Sequence, residues 1–284
     1  MLPFRKILFP ADYSDPCRAV APHVRDMRDH FSAELAVVHA YRLGAFYGEV
    51  AMADPGVFDE MQQLEGKRLQ AFVAEMFPGQ HVETFLQQGE AGSVIHDVVQ
   101  HQGADLIMMP THGRGPLRRL LLGSVTAKVL HDVSAAVWTG AQAAVEAHPG
   151  GTYQSILCAV DLSEEAEVAL QAAAVLARSY KAQLSLVHVV ERLPSNPEVD
   201  IAPFREELMQ FADARVRELK SKLSIDAPHT SIEGVTAEEV CREAIRTKAD
   251  LLVVGRGNIQ GTFSRMWSHL YSIVRDSPCP VLSI

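Results

Sequence analysis

A chain of 284 residues, 48% of them hydrophobic and 21% charged, holds ample material for a buried core, which excludes disorder as its dominant state. The net charge of −9 is shared as −5 over residues 1–146 and −4 over the rest. That balance excludes a general nucleic-acid or anionic-membrane binder, which needs a basic footprint.

From the start of the chain, Met1–Pro10 has too short an apolar stretch for a signal peptide, and no run of ~18 apolar residues follows anywhere. Cys17, Cys158, Cys241 and Cys279 are too dispersed for a disulfide framework or a zinc site. The expectation is a cytoplasmic protein with no membrane partner. Short β-rich runs predict strands at 5–10, 35–40, 82–87, 105–109 and 135–139. Amphipathic stretches near 16–31, 57–76, 91–102 and 123–132 predict helices between them, the first opened by Asp15-Pro16. Strands alternating with helices imply a parallel sheet covered on both faces, with Leu106-Ile107-Met108-Met109 as a buried central strand. Gly140 to Gly151 reads as a linker.

The pattern then begins again. Ile7-Leu8-Phe9-Pro10-Ala11-Asp12-Tyr13-Ser14 recurs as Ile156-Leu157-Cys158-Ala159-Val160-Asp161-Leu162-Ser163, and Leu35-Ala36-Val37-Val38-His39 as Leu184-Ser185-Leu186-Val187-His188, both at an offset of 149. Gly103-Ala104-Asp105-Leu106-Ile107 answers Lys248-Ala249-Asp250-Leu251-Leu252 at 145. An offset that changes only between matched segments is the mark of a duplication with loop deletions. The expected organisation is a domain over 1–141, a linker over 142–151 and a second domain over 152–284.

In an open parallel sheet, ligands bind beyond the carboxyl ends of the strands, where strand order reverses. In the first repeat those ends are Ala11-Asp12, Ala40 and the segment after Met109, which runs Pro110-Thr111-His112-Gly113-Arg114-Gly115 and on to Gly123-Ser124-Val125-Thr126. Glycines let backbone N–H groups approach an anion, and a helix start adds its dipole and unpaired donors. Arg114, Arg118, Arg119 and Lys128 make this a basic island in an acidic protein. Phosphate is the guest that such a loop suits.

On these residues the chain resembles the universal stress protein family: Asp12 and Asp161, the Val-His pairs of the second strands, and Gly113-x9-Gly123-Ser124. The resemblance covers nearly the whole length as a tandem pair. It implies an α/β fold of two doubly wound, five-stranded parallel sheets of order 3-2-1-4-5, with the two domains paired within the chain through their last strands. It also implies ATP or AMP, with Mg2+ and a homodimer left open, in a stress-response role as switch or sensor. Adenine would lie near Ala11, Asp12 and Ala40. The phosphates would lie at the glycine loop, and Met109, Thr111, His112, Gly113, Arg114, Gly123, Ser124 and Val125 would complete the nucleotide site. Pro110 departs from the family's Gly-x2-Gly-x9-Gly-Ser/Thr, because proline stands at the first glycine and brings no N–H. The second repeat departs further. Its loop reads Gly255-Arg256-Gly257, and Trp267 stands where the later glycine belongs, so no nucleotide is expected there.

Other chemistries lack their parts. Gly-x4-Gly-Lys-Ser/Thr, His-Glu-x-x-His and Gly-x-Ser-x-Gly are all missing from the sequence. Gly113-x-Gly115 has no third glycine and follows the fourth strand, so it is no dinucleotide fingerprint. His96 and His101, about 500° apart along a helix and so about 140° around it, share no metal-binding face. His39 and His188 sit inside apolar strands and read as satisfied core residues. No catalytic or metal residue is assigned. Two further readings stand beside the nucleotide switch: a nucleotide-free protein-interaction module, and a slow ATPase or phosphotransferase.

Overall fold

In a computed structural model the described residues are 3–42, 56–113, 122–148, 150, 152–163, 166–192, 202–256 and 264–284, with only the backbone described at 142, 202 and 264–268. They divide into two units, Pro3–Trp138 and Thr139–Ile284.

The first sheet draws on β1 (Lys6–Pro10), β2 (Glu34–Tyr41), β3 (Glu83–Gln88), β4 (Leu106–Pro110) and β5 (Ala136–Gly140), in the order β3-β2-β1-β4-β5. The connecting helices are α1 (Asp15–Phe31), α2 (Gly56–Met76), α3 (Ala91–Gln102) and α4 (Ser124–Asp132). β1 lies parallel between its neighbours, Leu8 opposite Ala36 on one side and Ile107 on the other. Ile7, Leu8, Phe9, Ile107 and Met108 are all fully buried, because helices cover both faces of the sheet. Switching from β1 outward to β2 and then back across to β4 opens a crevice at the strand ends.

The second unit repeats the plan with β6 (Ser155–Ala159), β7 (Gln183–Glu191), β8 (His229–Gly234), β9 (Leu251–Val254) and β10 (Val281–Ser283), in the order β10-β9-β6-β7-β8. Its helices are α6 (Ala166–Tyr180), α7 (Ala202–Lys222), α8 (Thr236–Arg246) and α9 (Ser264–Asp276). Read from β8, this is the same 3-2-1-4-5 order. The stretch read as linker contains a helix, α5 (Gln142–Ala147), formed by an alanine-rich run of good helix formers.

The repeated Ala-Asp pair before β4 and β9 has a mechanical role. Asp105 accepts hydrogen bonds from the N–H groups of Arg5 (2.9 Å) and Lys6 (3.1 Å), and Asp250 from those of Gln154 (2.7 Å) and Ser155 (3.1 Å). Each carboxylate staples the start of its unit's fourth strand to the start of its first. Donors that would otherwise dangle at the start of a central strand are satisfied.

Candidate functional site

At the carboxyl end of β1 the chain turns sharply through Asp12, Tyr13 and Ser14. Tyr13 is held at φ +64°, a left-handed conformation uncommon outside glycine. The turn is held by Asp12, whose Oδ1 accepts from the Ser14 N–H (3.0 Å) and the Ser14 hydroxyl (2.6 Å). Ser14 in turn caps α1, its Oγ accepting from the Cys17 N–H at 3.3 Å. Beneath the turn, His39 of β2 donates from Nδ1 to the Ala11 carbonyl at 2.6 Å, and its ring stacks on Tyr13 at 4.4 Å between centroids. On its far side His39 Nε2 faces Glu65 of α2 at 3.7 Å, and Glu65 also meets Arg68 at 2.7 Å.

Three of the predicted elements converge on this corner. Gly113, at the end of the segment leaving β4, lies against Asp12: a Cβ on Gly113 would fall 2.4 Å from Asp12 Oδ2. Gly123 closes the loop, donating from its N–H to the Thr111 carbonyl at 2.9 Å, and a Cβ there would sit 3.0 Å from that same oxygen. Thr126 ties the first turn of α4 to β4 through Oγ1–H to the Pro110 carbonyl, 3.1 Å. Helix α4 thus begins beside the β4 end with Gly123 as its N-cap and no side chain capping it. Its first N–H groups, from Ser124 onward, have no intrahelical acceptor. Ser124 is exposed, while Val125, His112, Gly113, Asp12 and Ala40 are half-buried; Met109 and Ala11 are buried floor.

Not every predicted residue joins this corner. Arg114, Gly115, Arg118 and Arg119 lie outside the described residues, as do Gly257 and the side chain of Trp267. Lys128, read as part of a basic island, pairs instead with Asp132 one turn on at 2.6 Å, and that carboxylate holds its ammonium above the usual lysine range. Thr111 places its hydroxyl 2.8 Å from His112 Nδ1, but at 1% exposure that hydroxyl is a strut out of a substrate's reach. Burial pushes the Cys17 thiol up to about 12, so it is no thiolate nucleophile at neutral pH. His96 and His101 bind separate carbonyls, of Asp132 and Asp97.

The second unit preserves the turn with the same Asp, Ser and His, and with Leu162 in the place of Tyr13. Leu162 is at φ +62°, Asp161 Oδ1 accepts from Ser163 N–H (3.1 Å) and hydroxyl (2.6 Å), and His188 Nδ1 donates to Val160 O at 2.7 Å. Sequence reasoning filed both histidines as satisfied core and missed that each pins the turn. Their identical place at an offset of 149 carried that signal. Glu65 had no signal of its own.

Comparison with known proteins follows the same division. The sequence model of the universal stress protein family matches residues 3–139 and again 152–284. A universal stress protein of Methanocaldococcus jannaschii is 29% identical over 131 residues, covering 45% of this chain and 77% of its own. A Staphylococcus aureus protein of the same description is 32% identical over 146 residues, covering 47% of this chain and 84% of its own. Among solved structures, a universal stress protein from Archaeoglobus fulgidus superposes with a TM-score of 0.69 at 21% identity, covering 98% of this chain and 97% of that one. That likeness is one of fold.

Proposed function

Since the chain belongs to the universal stress protein family, carrying two of its domains in tandem, we propose that its first domain binds an adenine nucleotide, ATP or AMP, as a switch or sensor in a stress response. The reading is carried by the helix start at Gly123-Ser124, left without a side-chain cap beside the Gly113–Asp12 contact. Unpaired N–H groups and the positive end of a helix dipole favour a phosphate there. Gly123, Ser124 and Val125 would meet that phosphate from the helix start, with His112, Gly113 and Arg114 on the loop side and the buried Thr111 bracing them. The base would rest over Ala11, Asp12 and Ala40, with Met109 as floor. Where ATP is the guest, Mg2+ would accompany its phosphates. Pro110 withholds one N–H, but it ends β4 and its carbonyl anchors Thr126, so it also fixes where the helix begins. In this reading the second domain takes no nucleotide.

The role is that of a reversible binder and not of a committed enzyme, because among the described residues the corner aligns no exposed nucleophile with a base. Calorimetric titration of the full chain with ATP and with AMP tests it. Gly123→Val should abolish the binding, since a side chain there collides with the Thr111 carbonyl. Unchanged affinity in that variant would remove the site assignment. If the wild-type chain binds neither nucleotide and releases no adenine on heating, the protein-interaction module becomes the better account.

A further inference from the structure

Under the strand-end corner of the first domain, the hydrogen bonding of His39 leaves room for one more proton. His39 is buried, and the Ala11 carbonyl 2.6 Å from its Nδ1 can only accept, so Nδ1 carries hydrogen. In a neutral imidazole that leaves Nε2 with a lone pair, and among the described residues no donor meets it. What faces Nε2 is a carboxylate, Glu65 Oε2 at 3.7 Å, too long for a hydrogen bond but within ion-pair reach. Two acceptors turned toward each other repel, and a proton on Nε2 converts the repulsion into attraction.

Glu65 is placed to hold that proton. It is buried, and its Oε1 accepts from Arg68 Nη1 at 2.7 Å, a charge-assisted bond to an ionised carboxylate. Arg68 itself is largely exposed, so solvent screens its charge more than that of Glu65. The other groups around the imidazole are not ionic. They are the Tyr13 ring stacked on it from the turn after β1, Leu86 opposite it on β3, and the Tyr41 phenol, pushed up by burial and by Glu65. Asp12, the acid of the turn, is bound to Ser14 instead.

An imidazolium strengthens what His39 already does. Its bond to the Ala11 carbonyl becomes charge-assisted, and its stack on Tyr13 becomes a cation–π contact. Both act on the residues that flank Asp12, where Tyr13 is held in a left-handed conformation that side chains resist. The second domain lacks the device: Leu162 replaces Tyr13, and among the described residues no carboxylate meets Nε2 of His188.

We infer that Glu65 is a positioning residue for the nucleotide corner, keeping a proton on His39 Nε2 so that the imidazolium holds the turn over which the base rests. The inference rests on the nucleotide reading of this corner and adds the proton as its regulator.

Nitrogen NMR of the histidine-labelled full chain, with ATP titrated calorimetrically into the same protein, tests it. At about pH 6 both ring nitrogens of His39 should carry protons in the wild type, but Nδ1 alone in Glu65→Gln, whose amide can donate to the bare Nε2. ATP should bind the wild type about fivefold or more tighter than Glu65→Gln at about pH 6, and within about twofold at about pH 8.5, once the Nε2 proton is lost. The phosphates of ATP titrate alike against both proteins and cancel in that ratio. Coupling is reciprocal, so saturating ATP should carry the Nε2 proton of the wild type to a higher pH, a result available even if the variant fails to fold. A ratio equal at both pH values, His39 protonated alike in both proteins, or wild-type His39 signals that titrate identically with and without ATP would each overturn the inference and leave the nucleotide reading standing. No ATP binding by the wild type at either pH would remove both.

Discussion

Alanine at Gly113 offers a direct measurement of how the strand-end corner is held. The φ of Gly113 is not in the left-handed region, so alanine adds a contact and no backbone strain. The added methyl carbon would fall 2.4 Å from Asp12 Oδ2, whereas ordinary carbon contacts lie near ~3.5 Å. The carboxylate must therefore retreat by roughly 1 Å. Its other oxygen holds Ser14 through bonds of 3.0 and 2.6 Å, and a shift of that size takes both out of range. Losing them costs about 1–3 kcal/mol at a half-buried site. Against this stands a gain of about 0.4–1 kcal/mol from stiffening the unfolded chain. The net expectation is a destabilisation of about 1–2 kcal/mol. In an Asp12→Ala background the colliding oxygen is gone, and the same substitution should be neutral or stabilising by up to about 1 kcal/mol. Urea unfolding of the four proteins of this cycle, followed by circular dichroism, reads the coupling directly. Equal cost of Gly113→Ala in both backgrounds would refute the contact and the corner built on it.

Three other expectations concern single groups. Hydrogen bonds from the Gly92 and Ser93 N–H groups hold the Glu90 carboxyl, the cap of α3, below its ordinary value of 4.5. Glu90→Ala should cost about 1 kcal/mol at pH 7. A depressed folded value means that this contribution is complete above the ordinary 4.5 and fades as pH falls through the lower folded value, so the gap between wild type and variant should close in acid. A gap constant from pH 7 to pH 3 would contradict the cap. Asp250→Ala should destabilise the second domain by about 1–3 kcal/mol, because the Gln154 and Ser155 N–H groups lose their acceptor; hydrogen exchange at those two amides should rise with it. Burial pushes the thiols of Cys17, Cys158 and Cys279 up to about 12 and that of Cys241 to about 11. A thiol reagent at pH 8 should therefore label all four only in denaturant, and labelling of the native chain would refute their burial.

The alternation of strands and helices and the bounds of the first unit's elements were legible because they rest on local pattern, whereas the strand order came only with the family resemblance. Apolar runs such as Leu106–Met109 can only be central strands once helices flank them, and the recurrence at 149 and 145 residues fixed where the plan restarts. The Asp12–Gly113 meeting was legible in outline, since both lie at strand ends on one side of the sheet. What stayed hidden depends on contacts without periodicity. Glu65 sits on a helix whose sequence does not single it out, yet folding buries it to 8% against His39. Lys128 belongs to the basic island by sequence distance, but the fold spends its charge on Asp132 one turn away.

The turn after β1 and β6 bears on how the two halves could drift apart after duplication. Each aspartate closes a left-handed turn and hands on a helix cap, so its loss would cost stability whether or not the domain holds a guest. A requirement for folding therefore bears on Asp161 as it does on Asp12. A search of related chains for that aspartate counts folded copies of the unit and says nothing of occupancy. Inheritance of ligand preference has to be traced elsewhere, in the loops after the fourth strands, where change leaves the fold intact.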